Sequence, residues 1–159
     1  MLIVQQPVAQ PNLALTLVPL RVDRLKLAKR VWRAAAEDGK EFGFELQAAL
    51  QPGVTVFQTD AARYAIVQEP EPVLEISLAM PASAAAGIGW AIGNLHLELM
   101  SEPTRLLTPD DRTVRRLLDR IGITYRETTA VFRPGRFARG DETTPSATPA
   151  HEFGPSHKH

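Results

Sequence analysis

Apolar and polar residues alternate differently in the two halves of the chain, and the change falls near residue 72. In the first half the alternation has a period of two over 41–46, which is typical of a half-buried strand. The Asp38-Gly39 pair before it is a strong signal for a tight hairpin turn. The segment 31–36 is therefore predicted as the partner strand, although its alanine run favours helix. Further strands are predicted at 13–20, 54–57 and 64–67.

The second half combines helical and strand-like patterns. Pro81 is typical of a first helical turn, and Gly93 is a suitable residue to end that helix. Thr108 is predicted to cap a second helix that begins at Pro109, and Gly122 is predicted to end it. The predicted elements are strand 73–78, helix 82–92, strand 95–100, strand 105–107, helix 109–121 and strand 123–132.

These elements predict an α+β fold, with a small all-β N-terminal domain followed by a ferredoxin-like βαββαβ domain. The Glu-Pro-Glu-Pro segment at 69–72 is predicted as an exposed linker, because proline cannot continue the interior of a sheet. The C-terminal residues are rich in proline and poor in large apolar groups, so they are predicted to be disordered. The predicted bounds are 1–72 for a β domain of the partner-binding type, 73–135 for the ferredoxin-like domain and 136–159 for a flexible, histidine-bearing tail.

Charge and composition narrow the functional classes. The 18 Lys and Arg residues balance 18 Asp and Glu residues, which argues against a nucleic acid or a membrane surface as the partner. The N-terminus lacks the basic and long apolar regions of a signal peptide, so a cytoplasmic location is expected. Cysteine is absent, which excludes disulfides and thiolate ligands. No nucleophile-elbow or phosphate-binding glycine motif is present, so no enzymatic activity is expected.

The histidines are the best candidates for chemistry, because imidazole binds nickel, copper and zinc well. His96 lies in the predicted strand 95–100, where three leucines occupy the face expected toward the core and His96 shares the other face with Glu98. A single imidazole needs further ligands, which a two-fold dimer or the C-terminal tail can supply. A lone histidine on a strand is more often solvated and has no ligand role. The histidines of the tail could likewise be solvated rather than metal-binding. The tail histidines are His151, His157 and His159.

Several segments carry a resemblance to a known family. They are Glu71-Pro72-Val73-Leu74-Glu75-Ile76, Ile92-Gly93-Asn94-Leu95-His96 and Asp119-Arg120-Ile121-Gly122, together with the Asp38-Gly39 hairpin and the Pro52-Gly53 turn. In these features residues from about 20 to 135 resemble urease accessory protein E, a family of nickel metallochaperones. The Asn-x-His motif after a glycine-rich helix is the most specific of them. Two departures stand out: Leu95 replaces a frequent arginine, and 108–111 lacks the His-x-His pair of some members.

The resemblance implies a function and a set of partners. It implies a homodimer that binds one Ni²⁺ between the two copies of His96, assisted by His151, His157 or His159. It also implies delivery of nickel to the urease apoprotein together with the urease accessory GTPase. Cu²⁺ and Zn²⁺ are expected to compete, because copper binds similar ligands more strongly than nickel.

A metal-independent adaptor is the alternative function. The β domain could bind a peptide by adding a strand to the edge of a sheet. Its docking surface would be a group of basic residues between positions 24 and 33. Basic residues spaced in this way more commonly form a solvated strand face. The basic positions in question are Arg24, Lys26, Lys29, Arg30 and Arg33.

Overall fold

A computed structural model describes residues 1–135 of the chain. The α+β class predicted from the sequence is confirmed. The predicted flexibility of the tail falls on 136–159, outside the described residues. The elements in order are β1 Leu2–Val4, β2 Thr16–Val22, α1 Arg24–Leu27, β3 Val31–Ala35, β4 Glu41–Glu45, β5 Thr55–Gln58, β6 Ala62–Gln68, β7 Glu71–Ser77, α2 Ala82–Asn94, β8 Met100–Ser101, β9 Arg105–Pro109, α3 Arg112–Arg120 and β10 Arg126–Ala130.

The N-terminal half consists of two three-stranded sheets, ordered β1-β4-β3 and β2-β6-β5. The predicted hairpin is confirmed as the antiparallel pair β3–β4, and Gly39 in its turn has φ +83°. The aromatic residues of this pair form the core, since Trp32 stacks on Phe44 with 3.8 Å between ring centroids and Phe42 is fully buried. Burial of these rings outweighs the helix preference of the alanine run, so the strand forms.

Two short elements of this half had no sequence prediction. Strand β1 pairs in parallel with β4. Helix α1 follows Asp23, whose side chain accepts a hydrogen bond from the Lys26 backbone N–H at 2.8 Å. This N-cap places Arg24 in the first turn of α1, where it faces the second half of the chain.

The connection between the halves is shorter than predicted. The linker was predicted over 69–72, but residues 71 and 72 belong to β7, so the prediction is wrong for these two residues. Pro72 fits near the start of the strand because its carbonyl still accepts a hydrogen bond, from the Asp110 N–H at 3.2 Å. Phe132 is fully buried at this junction, and its carbonyl accepts a hydrogen bond from Gln68 Nε2 at 2.7 Å. The halves are therefore joined by packed contacts as well as by the chain.

The second half is a four-stranded antiparallel sheet ordered β10-β7-β9-β8, with the chain order β7-α2-β8-β9-α3-β10. This is the predicted βαββαβ order. One buried cluster unites the strands and both helices; its central members are Leu74, Ile76, Ile88, Ile92, Val114 and Leu118. A second, smaller cluster contains Val73, Leu107 and Phe132.

Several element boundaries in this half differ from the predictions. Helix α3 begins at Arg112 rather than at Pro109, because Asp111 caps it and accepts the Thr113 N–H at 2.6 Å. Thr108 is instead buried in β9, where its hydroxyl donates to the Glu98 carbonyl at 3.1 Å. The last strand covers only Arg126–Ala130. The segment that contains His96 also differs from its prediction.

Candidate metal site

His96 lies in a turn at the end of helix α2. The prediction of a strand over 95–100 is wrong, because α2 continues past Gly93 to Asn94 and only Met100–Ser101 are paired. The His96 N–H donates to the Gly93 carbonyl at 2.9 Å, which satisfies one of the free carbonyls at the helix end. The helix therefore ends at Asn94, two residues beyond the predicted Ile92, and His96 rather than Gly93 takes the left-handed position after it.

The backbone of His96 is in the left-handed region. Its φ is +57°, and within residues 1–135 it is the only non-glycine residue with a positive φ. This conformation costs a residue with a Cβ roughly 1–2 kcal/mol, and helices commonly place glycine there. Backbone strain of this kind concentrates at functional sites, which makes His96 a candidate functional residue.

The side chains around His96 alternate in burial. Leu95, Leu97 and Leu99 pack against the core of the second half, whereas His96 and Glu98 are exposed. The predicted separation of the two faces is thus confirmed, although the backbone is not a strand. Both side chains are open to solvent, and the Glu98 carboxylate pairs with Arg24 of the N-terminal half.

Helix α2 presents an uncharged face beside His96. The helix has no charged residue and buries only Ile88 and Ile92, while Trp90 is 72 % exposed. A surface helix normally carries charged or polar groups on its outer face. An apolar outer face of this length, with an exposed tryptophan, is typical of a surface that another protein covers. In the sequence, this apolar face is indicated by the absence of charged residues over 82–94. The strand and helix patterns alone do not reveal it.

The C-terminal segment returns to the same region. The Gly135 N–H donates to the Leu99 carbonyl at 2.9 Å, and the Arg133 N–H donates to the Met100 sulfur at 3.2 Å. The chain therefore leaves the described region beside residue 99, three positions beyond His96. His151, His157 and His159, the other predicted ligands, lie outside the described residues.

Within residues 1–135 of one chain, no group of three or more His, Asp or Glu side chains is arranged to hold a metal ion. The carboxylates before α3 have structural partners: Asp110 pairs with Arg115 at 2.7 Å, and Asp111 caps the helix. The backbone N–H of Thr113 lowers the pKa of Asp111 below its ordinary value. His96 is thus the candidate donor of this region.

Arg24 is tied to the His96 segment rather than exposed to solvent. The prediction that Arg24 belongs to an exposed basic surface is wrong, since its side chain is only 18 % exposed and pairs with Glu71 and Glu98. Burial opposes the charge on the guanidinium, but the hydrogen bonds and charges of the two carboxylates outweigh it and raise the pKa of Arg24. Lys29, Arg30 and Arg33 are exposed, as predicted.

No helix within residues 1–135 has both the length and the apolar character needed to cross a membrane. The cytoplasmic location stays a prediction.

Comparison with known proteins places the second half in a defined family. Residues 71–159 match the family model described as the UreE urease accessory protein, C-terminal domain. The chain is 30 % identical to urease accessory protein UreE of Deinococcus radiodurans over 118 residues, which is 72 % of this chain and 74 % of that protein. It is 29 % identical to UreE of Rhodobacter capsulatus over 129 residues, covering 80 % and 77 % of the two chains. It is 27 % identical to UreE of Ectopseudomonas mendocina over 161 aligned positions, covering 96 % and 94 %.

The chain is therefore an accessory protein rather than an enzyme. It belongs to the UreE family of urease accessory proteins, as its Asn94-Leu95-His96 motif suggested.

Proposed function

We propose that this protein is a nickel metallochaperone that delivers Ni²⁺ to the urease apoprotein, acting with the urease accessory GTPase. The observation that carries the proposal is the strained backbone of an exposed His96 at the end of an uncharged, exposed helix face. Family membership supports the urease-related role. The metal is the cargo of the protein, and its release matters as much as its binding.

The proposed site lies between two copies of the chain. A surface that covers the apolar face of α2 must itself be apolar, and a second copy of the same face meets this need in a two-fold dimer. Trp90 and the small residues of α2 would then pack against their own counterparts. Because His96 follows α2 directly, the same axis would bring two imidazoles together, and two nitrogen ligands hold nickel where one does not.

The tail histidines are proposed as additional ligands. His151 follows Gly135 by sixteen residues, a chain length that reaches at most about 55 Å. Since Gly135 is bonded to Leu99, the tail starts beside the proposed site. A tethered ligand of this kind binds at a high effective concentration, so the tail can displace water from nickel and later give way to ligands of the acceptor. Stepwise exchange of ligands would move the ion without releasing it into solution.

Native mass spectrometry tests the proposal directly. With nickel added below one equivalent per chain, we expect one Ni²⁺ per dimer and no nickel on monomers, because each ion needs two copies of His96. Excess Cu²⁺ added afterwards should displace the nickel, and Zn²⁺ should compete with it. Nickel on monomers, or no bound nickel, would contradict the shared site and favour the metal-independent adaptor. Nickel that resists excess copper would contradict the proposed ligand set.

A further inference from the structure

We infer that the outer face of helix α3 is a docking surface for an acidic helix of a partner protein. The surface consists of Arg112, Arg116 and Arg120, which are spaced four residues apart and are called the arginine stripe below. Residues with this spacing lie on one face of a helix. At a rise of about 1.5 Å per residue the stripe is roughly 12 Å long. The inference does not require a metal ion at His96.

The arginine stripe is open to solvent and keeps its charge. All three residues are exposed, and none forms an ion pair with a carboxylate among residues 1–135. On the same helix, by contrast, Arg115 pairs with Asp110 at 2.7 Å and with Glu127. Asp119, the one acidic residue of α3, lies beside Tyr125, and the pKa of this tyrosine is raised by desolvation and by the Asp119 carboxylate. The acidic groups around α3 therefore have other partners.

The stripe lowers the stability of the helix that carries it. Like charges four residues apart repel each other on a helix, and the stripe contains two such pairs. Arg112 also lies in the first turn, which has no acidic residue, and a positive charge there opposes the helix dipole. A glutamate at position 116 would turn both repulsive pairs into attractive ones. Stability of the helix therefore does not account for the arginine at this position.

An acidic helix has the chemistry and the spacing that complement the stripe. Arginine pairs well with carboxylates, because its planar guanidinium can donate two hydrogen bonds to them. Glutamates four residues apart on a helix repeat at the same interval of about 6 Å as the arginines, so three ion pairs can form between two straight helices. The balanced charge of the whole chain argues against a nucleic acid as the partner.

The chain itself does not provide such a helix. Within residues 1–135, helix α1 contains no acidic residue and helix α2 no charged residue. Beyond residue 135 the acidic residues are Asp141, Glu142 and Glu152, which are not spaced four residues apart. A second copy of the chain has the same composition, so the complementary helix belongs to a different protein.

Titration of the metal-free, full-length protein with two synthetic peptides tests the docking surface. The first peptide is an alanine-rich helix with three glutamates spaced four residues apart, and the second has the same composition with the glutamates adjacent. NMR at low ionic strength, where exposed ion pairs are least screened, follows the backbone and arginine side-chain signals. The spaced peptide is expected to shift the signals of the stripe and to bind about 3- to 10-fold more tightly, because only its glutamates can meet all three arginines.

Arg116→Glu is expected to weaken binding of the spaced peptide by about 10-fold, because it replaces the central attraction by a repulsion. The same variant should melt about 2–5 °C higher than the wild type, because its two pairs along α3 become attractive. The matched control is Arg30→Glu, which makes the same change of charge at an exposed arginine of the N-terminal half. This control should bind the spaced peptide nearly as the wild type does.

Three outcomes would overturn the inference. Equal affinity for the two peptides, or equal weakening by Arg116→Glu and Arg30→Glu, would show that only net charge matters. A lower melting temperature for Arg116→Glu would show that this arginine is structural. A short DNA duplex that shifts the same signals at higher affinity would assign the stripe to nucleic acid. None of these outcomes bears on nickel binding, so the proposed function stands or fails separately.

Discussion

His96→Gly is expected to abolish the proposed nickel site and, at the same time, to make the metal-free protein more stable. The proposed dimer would lose two imidazoles, so nickel affinity should fall by at least about 100-fold. The backbone at this position has φ +57°, which glycine adopts without the roughly 1–2 kcal/mol that other residues incur. Part of this gain is offset by the greater freedom of glycine in the unfolded chain. The free energy of unfolding should therefore rise by up to about 1 kcal/mol.

His96→Ala is the matched control for this prediction. It removes the same imidazole but keeps a Cβ in the left-handed conformation, so it should lose nickel equally and be less stable than His96→Gly by about 1 kcal/mol. Urea unfolding of the metal-free proteins measures the difference in stability, and native mass spectrometry measures bound nickel. A glycine variant that still carries one Ni²⁺ per dimer, or that is less stable than the alanine variant, would refute this account of His96.

Trp90→Glu is expected to separate the proposed dimer into monomers and to remove the proposed nickel site with it. The tryptophan is 72 % exposed in the single chain, so a charge there costs little in the monomer. On the two-fold axis of the proposed dimer the same substitution would bury two like charges against an apolar face, which is strongly unfavourable. Sedimentation velocity should show a monomer at concentrations where the wild type is a dimer.

Val31→Glu is the control for Trp90→Glu. Val31 is 73 % exposed, but it lies on strand β3 of the N-terminal half, away from α2. This variant should remain a dimer and bind one Ni²⁺ per dimer. If Trp90→Glu also remains a nickel-binding dimer, the apolar face of α2 is not the interface and the ligands of His96 must come from elsewhere.

Local patterns in the sequence predicted most elements of the fold because their causes are local. The Asp38-Gly39 turn fixed the β3–β4 hairpin, and Gly122, with φ +68°, follows the end of α3 as predicted. The strand predicted around His96 failed for a definite reason. Alternating leucines indicate which side chains face the core, but this pattern does not require that the backbone be paired with another strand.

The candidate site was only partly predictable. His96 and its exposed side could be identified from its motif and its neighbours, but its left-handed backbone could not, because glycine at 93 gave a stronger signal for the helix end. The ion pairs of Arg24 were missed for another reason. Its partners Glu71 and Glu98 are 47 and 74 positions away, and nothing in a single sequence indicates which distant carboxylate a basic residue will meet. Tertiary packing alone determines such pairs.

The hydrogen bond from the Gly135 N–H to the Leu99 carbonyl ties the end of the described residues to the segment that follows helix α2, and this has an evolutionary consequence. Gly135 makes this bond with φ +76°, a conformation that residues with a side chain rarely adopt. A Cβ at this position would meet no atom within 4 Å. Selection at position 135 therefore acts on the backbone conformation rather than on the space around it.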